Sequence, residues 1–154
     1  MLQTSKIKKV ERKVITIFIV EYKNISNLSR ADQNLKPFIS FQFYNFEDST
    51  TKVYVGRSSS VNEKFDFKID FDALFTNYIE TSNLEFFLFD DNTNFHTKND
   101  IIGTALFPLK DIQKANLIER DLIVKSNSNI DTQGILSIKI DISNYYENPI
   151  TEHN

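Results

Sequence analysis

The residues with the clearest chemical potential lie in one short segment that is rich in carboxylates. Asp90, Asp91 and Asp100 supply the acidic groups, and Asn92 and Asn94 lie among the residues between them. Calcium takes about six to eight oxygen ligands in proteins, so this segment could supply part of a calcium site. The same composition is also typical of a solvated acidic loop, in which Asp100 would brace the turn before Gly103.

Catalytic chemistry has little support in the sequence. His96 and His153 are the only histidines, cysteine is absent, and there is no glycine-rich phosphate loop or nucleophile elbow. Asp91 and His96 could be imagined as a dyad, but no nucleophile or oxyanion donor accompanies them. The sequence therefore predicts a protein that is not an enzyme, that needs no cofactor and that has no thiolate metal site.

Basic residues form two groups, and each could meet an anionic surface. The first group lies in the N-terminal arm and includes Lys8, Lys9, Arg12 and Lys13. The second lies further along the chain and consists of Lys52, Arg57, Lys64 and Lys68. The net charge is -3, so no global attraction to nucleic acid or to acidic membranes is expected. Asp66 and Asp70 alternate with Lys64 and Lys68, which dilutes any positive patch.

Aromatic residues are unusually abundant, with 14 Phe and 6 Tyr and no Trp. Phe87 and Phe89 fall on the strand face opposite Leu84, Phe86 and Leu88, and Phe46 lies at a turn. Aromatic side chains left outside a core often mark interfaces. The residues predicted to contact a partner are Tyr44, Phe46, Phe87 and Phe89, together with Lys8, Lys9, Arg12 and Lys13 of the arm.

The elements that must position these residues are mostly strands, because apolar residues alternate with polar ones in many short segments. This alternation places Phe41 and Phe67 in the core. The nearly continuous apolar run Val14–Val20 indicates a strand covered on both faces. Short helical connections are predicted over Phe71–Tyr78 and Pro108–Ala115. The predicted strands are Val14–Val20, Ile39–Phe43, Thr50–Val55, Phe65–Ile69, Leu84–Phe89, Ile101–Phe107, Leu122–Val124 and Leu136–Ile142.

The length of 154 residues, with 40 % hydrophobic and 25 % charged residues, predicts one globular domain. We expect a basic flexible arm over 1–13, the domain over 14–142 and a polar C-terminal tail over 143–154. The opening segment lacks the apolar core of a secretory signal, and no apolar run approaches the roughly 20 residues that span a bilayer. A cytoplasmic location is therefore expected.

Two segments resemble a known family. The sequence Phe-Tyr-Asn-Phe-Glu at 43–47, followed by Thr-Thr at 50–51, resembles the C2 domain of the retinitis pigmentosa GTPase regulator-interacting protein family. The stretch LEFFLFDDNTNFHTKNDIIGTALFPLKDI is similar to the strand, calcium-loop and strand unit of C2 domains. The resemblance implies an all-β fold, a C2-type antiparallel β-sandwich of eight strands with short helical connections.

The resemblance also bears on calcium. In calcium-binding C2 domains, carboxylates from a first and a third loop hold the ion. Here Lys36 takes the place of the first-loop Asp before the Pro-aromatic pair, Arg30 lies near the other ligand position, and only Asp32 remains. Cations beside a dication site add repulsion to the loss of ligands. We therefore expect a calcium-independent domain in which Asp90, Asp91 and Asp100 are a residual acidic loop.

For function, the resemblance implies a non-catalytic adaptor at the basal body or transition zone of the cilium. A small C2 protein could equally be a structural adaptor built into the axoneme. Its expected partners are ciliary or microtubule-associated proteins, with tubulin as one candidate and nucleic acid excluded. The alternative is a peripheral membrane module that docks on phosphoinositides. Some C2 domains hold these lipids where Lys52, Arg57, Lys64 and Lys68 lie in this sequence.

Overall fold

The computed structural model describes residues 10–25, 35–91, 101–126 and 132–145. Within these ranges the chain forms eight strands, one α-helix (α1, Ala73–Thr81) and one 3₁₀ helix (Leu109–Gln113). None of the described helices is long and apolar enough to cross a lipid bilayer. The strands are β1 (Arg12–Lys23), β2 (Pro37–Phe41), β3 (Ser49–Thr50), β4 (Ser59–Asp70), β5 (Asn83–Asp90), β6 (Ile101–Pro108), β7 (Leu117–Lys125) and β8 (Thr132–Asn144).

The strands follow the order β3-β2-β5-β6-β7-β8-β1-β4 and pair antiparallel throughout. Among the described residues, only the pair Thr104 and Lys125 joins β6 to β7, so the sheet divides there into two layers. The layers face each other, because the Phe41 ring of β2 lies 5.2 Å from Phe65 and 6.3 Å from Phe67 of β4. The predicted eight-stranded antiparallel β-sandwich is confirmed.

The core is built from the inward residues of every long strand. On β1 these are Ile15, Ile17 and Ile19, which are at most 1 % exposed. Phe41 and Phe67 are 1 % and 6 % exposed, so their predicted place in the core is confirmed. Alternation of period two puts all of these side chains on one face of their strands, as the sequence indicated.

The second face of β1 is less covered than the apolar run Val14–Val20 predicted. Val14, Phe18 and Val20 are only half-buried. No second layer covers this face among the described residues; instead the Nζ of Lys139, from the neighbouring strand β8, lies 5.3 Å from the centre of the Phe18 ring. A lysine can cover an aromatic ring with its aliphatic stem while its ammonium stays in water.

The strand predicted over Thr50–Val55 pairs with β2, but regular pairing stops at Thr50. Beyond it, the Oγ1 of Thr51 accepts a hydrogen bond from the backbone N–H of Ile39 at 2.9 Å, in place of a backbone carbonyl. The segment still follows β2, because the Tyr54 N–H donates to the Pro37 carbonyl at 2.7 Å. A side chain therefore interrupts the ladder without separating the two segments.

Side chains also close the sandwich between this segment and the first half of β4. The Lys52 N–H donates to the Glu63 carboxylate at 2.9 Å, and the Tyr54 hydroxyl contacts the same carboxylate and, at 3.1 Å, the Val61 carbonyl. Burial, together with the neighbouring Glu63 carboxylate, raises the pKa of Tyr54 to about 12. The hydroxyl therefore stays protonated and can donate at neutral pH.

The helical connections lie close to their predicted places. α1 begins after Asp72, whose side chain accepts a hydrogen bond from the Phe75 N–H at 2.9 Å and so satisfies a donor of the first turn. Phe75 and Ile79 anchor the helix in the core. The second connection is a short 3₁₀ helix that begins after Pro108.

Candidate interaction surface

The outer face of the layer formed by β2, β5 and β6 carries a cluster of large apolar side chains. Phe38 of β2 pairs with Phe89 of β5, and their rings stack with centroids 5.2 Å apart. Phe87 lies two residues from Phe89 on the same face, with ring centroids 6.3 Å apart. Leu106 of β6 extends the cluster and is 51 % exposed. We call this set, together with Ile101, the aromatic patch.

The sequence analysis singled out Phe87 and Phe89 but missed the other members of the patch. Phe38 lies in strand alternation with Ser40, on the face opposite Ile39 and Phe41. The alternation of side chains along the sequence could therefore have identified Phe38 as a member of the patch. Ile101 joins the patch because it lies opposite Phe89 in the pairing of β6 with β5. The periodicity of one strand does not give the register of two strands, so the sequence alone could not identify this residue.

Tyr44 and Phe46, which the sequence assigned to partner binding, are partly buried against the core. Tyr44 adopts a φ of 52° and turns the chain, and the Phe46 N–H donates to the Phe43 carbonyl at 3.0 Å. The turn returns the Phe46 ring to a centroid distance of 5.0 Å from Phe67. Both side chains are half-buried. Their assignment to partner binding stays a prediction.

The basic arm is described only at its end. Lys8 and Lys9 lie outside the described residues, whereas Arg12 and Lys13 belong to the start of β1. The Nε of Arg12 lies 3.1 Å from the Asp70 carboxylate, and both side chains are more than half exposed. The Nζ of Lys13 lies 5.2 Å from the centre of the Phe71 ring. These two cations are partly engaged within the domain.

The four cations proposed for lipid binding do not form one basic patch. Lys64 and Lys68 lie on the solvent face of β4, where Asp66 and Asp70 separate and flank them. Arg57 donates from its Nε to the Ile25 carbonyl at 3.0 Å. Lys52 is exposed, and its backbone N–H is bound by the Glu63 carboxylate.

The solvent face of the layer that contains β4 has mixed charge overall. Its exposed or half-buried cations are Arg12, Lys23, Lys64, Lys68, Lys125 and Lys139. Its anions are Glu21, Asp66, Asp70, Glu119, Asp121 and Asp141. A membrane rich in anionic lipid is attracted by a local excess of positive charge. This face has no such excess.

One carboxylate of the acidic segment, that of Asp90, lies inside the domain. Asp90 is completely buried, and its side chain accepts a hydrogen bond from the Lys36 N–H at 3.1 Å, while the Asp91 N–H donates to the Lys36 carbonyl at 2.8 Å. These bonds fasten the start of β2 to the end of β5. Asp100 lies outside the described residues. In the described ranges, no group of three or more His, Cys, Asp or Glu side chains could hold a metal ion.

The comparison with protein families agrees with this architecture. A family model for the first C2 domain of RPGR-interacting protein 1 matches residues 10–144. The chain belongs to this C2 family. A search of curated protein sequences finds no significant match.

Solved structures with the same fold are also C2 domains or contain one. A C2 domain of plant extended synaptotagmin 1 has a TM-score of 0.67 and 14% identity, covering 91% of this chain and 100% of that chain. Human GIVD cytosolic phospholipase A2 has a TM-score of 0.67 and 15% identity, but the match covers only 17% of its length, against 91% of this chain. A C2 domain-containing protein from a putative elicitor-responsive gene has a TM-score of 0.61 and 19% identity, covering 94% of this chain and 97% of that chain. At these identities the similarity shows the fold alone.

One charge cluster of this C2 domain was missed by the sequence analysis. Asp111 in the 3₁₀ helix is only 8 % exposed, and its carboxylate lies 3.0 Å from the Arg120 guanidinium and 3.3 Å from the Lys114 Nζ. The hydrogen bond from Arg120, assisted by Lys114, holds the pKa of Asp111 below its usual value although burial acts in the opposite direction. Arg120 also lies over the Phe107 ring, at 5.4 Å from its centre. The cluster joins the 3₁₀ helix to β6 and β7, so its role is structural.

We expect that calcium leaves the stability of this C2 domain nearly unchanged. The family resemblance places Lys36 where calcium-binding C2 domains have a first-loop carboxylate, and the Asp90 carboxylate already accepts a hydrogen bond from the Lys36 N–H. A ligand that binds only the native state raises the melting temperature by mass action. Thermal unfolding with and without sub-millimolar calcium measures this, with magnesium as the control for ionic strength. A rise of several degrees specific to calcium would contradict the prediction.

Proposed function

We propose that this chain is a non-catalytic C2 domain that acts as a protein-interaction adaptor in the cilium, and that the aromatic patch is its principal contact surface. The proposal places it in the axoneme, basal body or transition zone, bound to ciliary or microtubule-associated proteins such as tubulin. The match of residues 10–144 to the first C2 domain of RPGR-interacting protein 1 is the observation that carries the proposal.

The aromatic patch has the chemistry of a protein-binding surface. The rings of Phe38, Phe87 and Phe89 lie on the outer face of their layer, where Leu106 is 51 % exposed. Aromatic residues are enriched at the energetic centres of protein interfaces, and a well-desolvated one contributes about 2 kcal/mol or more. The rings already contact one another, so binding would cost them little conformational entropy.

The basic arm would assist in a different way. Charges at the rim of an interface mainly raise the association rate and make it sensitive to salt. Arg12 already pairs with Asp70 and Lys13 lies against Phe71, so we assign this role to Lys6, Lys8 and Lys9. An acidic protein surface, such as that of tubulin, suits such an arm. Deleting residues 1–9 should then weaken binding more at low salt than at high salt.

Replacing Phe87 by alanine tests the proposal directly. We expect Phe87→Ala to abolish enrichment of the tagged chain in cilia, because the variant loses an anchor that contributes about 2 kcal/mol or more. Microscopy of ciliated cells, with crosslinking and mass spectrometry of the native assembly, measures location and partners together. Leu74→Ala is the matched control, since Leu74 is an exposed apolar residue on α1, 73 % exposed and outside the patch.

Circular dichroism and thermal unfolding must show that both variants fold like the wild type. A wild-type chain spread evenly through the cytoplasm, with no partner that depends on Phe87, would refute the proposal. In that case sedimentation with phosphoinositide vesicles at several salt concentrations tests the membrane-docking alternative, because electrostatic membrane binding weakens as salt rises.

A further inference from the structure

The free edge of β4 is a second surface that the proposed function does not use. β4 is the last strand in the sheet order and pairs with β1 on one side only. Lys52 and Tyr54 cover the other side at Val61 and Glu63. Among the described residues, nothing hydrogen-bonds to that side of the backbone over residues 64–69. A bare strand edge is a template for pairing with another chain.

The solvent face of this edge carries charges of alternating sign. Lys64, Asp66, Lys68 and Asp70 are all exposed. If two copies of this strand pair antiparallel about Phe67, Lys64 of one copy lies opposite Asp70 of the other, and Asp66 lies opposite Lys68. The two-fold symmetry repeats each pair, which gives four pairs of opposite charge. Opposite charges at directly facing positions stabilise a strand pair, and like charges destabilise it.

Other registers, in which a different residue lies opposite its own copy at the centre of the pair, are less favourable. A centre at Asp66 or at Lys68 places like charges opposite each other, because the central residue itself faces its own copy. A centre at Phe65 moves the contact onto Val61 and Glu63, where Lys52 and Tyr54 already lie. A centre at Ile69 places Asp66 of one copy opposite Asp72 of the other, which is a pair of like charges. Only the register about Phe67 forms four favourable pairs on the part of the edge that is open.

The inward face of the edge is compatible with the same register. Phe65 would lie opposite Ile69, and Phe67 opposite its own copy. Phe67 and Ile69 are buried, and Phe65 is half-buried with its ring 5.2 Å from Phe41. Apolar cross-strand pairs on the buried face and ion pairs on the solvent face are the arrangement that fixes register in antiparallel sheets.

We propose that two copies of this chain associate through the free edge of β4, antiparallel and centred on Phe67. The interface is the same patch on both copies, so the assembly closes as a symmetric dimer. The aromatic patch lies on β2, β5 and β6, in the other layer, and remains available in each copy. The dimer would present two partner-binding surfaces, which raises effective affinity for a repetitive partner such as a filament.

Two edge variants with opposite charge test this proposal. The acidic variant carries Lys64→Asp and Lys68→Asp, and the basic variant carries Asp66→Lys and Asp70→Lys. Each should self-associate at least about tenfold more weakly than the full-length wild type, because every facing pair becomes a pair of like charges. An equal mixture of the two should form a heterodimer again. Sedimentation velocity over a range of concentrations measures the dissociation constants, and circular dichroism confirms that each variant is folded.

The absence of cysteine from the chain allows a direct test of the register. Chains with Asp66→Cys and chains with Lys68→Cys should form a disulfide-linked dimer when mixed, since facing Cα atoms lie about 4.5 to 5.5 Å apart, within reach of a disulfide. Either variant alone should crosslink much less, because its cysteines are diagonal neighbours about 7 to 8 Å apart. A wild type that stays monomeric at the highest concentration, or edge variants that associate as strongly as the wild type, would overturn the proposal. The second result would assign association to another surface.

Discussion

Replacing Phe41 by alanine should lower the free energy of unfolding by about 3 to 5 kcal/mol, from lost transfer energy and the cavity left behind. Phe41 is 1 % exposed and lies at the meeting point of the two layers. Its ring contacts Phe86 of its own layer at 5.2 Å, and Phe65 and Phe67 of the facing layer at 5.2 and 6.3 Å. Backbone pairing holds these strands in place, so the rings cannot close the cavity completely.

Urea unfolding of Phe41→Ala, monitored by circular dichroism, measures this loss. Phe87→Ala is the matched control, because Phe87 has the same side chain in the same layer but on the outer, half-buried face. It should cost much less than Phe41→Ala. If Phe41→Ala costs under about 1 kcal/mol, the inward and outward faces of β2 are reversed, since a shift of one residue exchanges the two faces of a strand.

Gly134→Ala should lower the free energy of unfolding by about 2 to 6 kcal/mol. Gly134 has a φ of 126°, which side chains rarely adopt, and strain of this kind costs about 1 to 3 kcal/mol. A Cβ at this position would also lie 2.5 Å from the Lys23 carbonyl oxygen and 2.9 Å from the Asn24 carbonyl carbon. These are backbone atoms at the end of β1, so the contact can be relieved only by moving the strand. Such overpacking adds about 1 to 3 kcal/mol.

Gly56→Ala separates the two causes. Gly56 has a φ of 98°, but the nearest atom to an added Cβ is the Ser58 carbonyl oxygen at 3.8 Å, an ordinary contact. The loss in the free energy of unfolding of this variant should therefore come only from the strained backbone conformation. Urea unfolding of the two variants side by side gives the cost of the close approach by difference. Equal losses would mean that the approach of Gly134 to β1 carries no energetic cost.

Alternation of side chains predicted the long strands well, because it is a local property of the chain. Residues 14–20, 65–69, 84–89 and 136–142 all lie within observed strands. β7 was predicted over Leu122–Val124 but extends over Leu117–Lys125. The reason is Arg120, which occupies an inward position between Ile118 and Leu122 and therefore breaks the apolar pattern. Its guanidinium pairs with the buried Asp111, and nothing in the local sequence indicates that partner.

The aromatic patch could be predicted only in part, because its members come from different strands. Phe87 and Phe89 were found from alternation within β5, whereas Phe46 was assigned to the surface from its place in a turn. Its ring lies against Phe67 because Tyr44, with a φ of 52°, turns the chain back over the core. A positive φ at a tyrosine is not predictable from residue preference, since such residues seldom adopt it.

The position of β1 also determines how this protein can fold. β1 lies between β4 and β8, so the first strand of the domain needs the last strand for one of its two ladders. Forming that ladder closes a loop of more than 100 residues. The conformational entropy of the loop must be lost before the new contacts compensate for it. We therefore expect folding in milliseconds to seconds, as in other domains dominated by distant strand pairs. During synthesis, the edge of β1 that pairs with β8 therefore stays unpaired until residues 132–144 leave the ribosome.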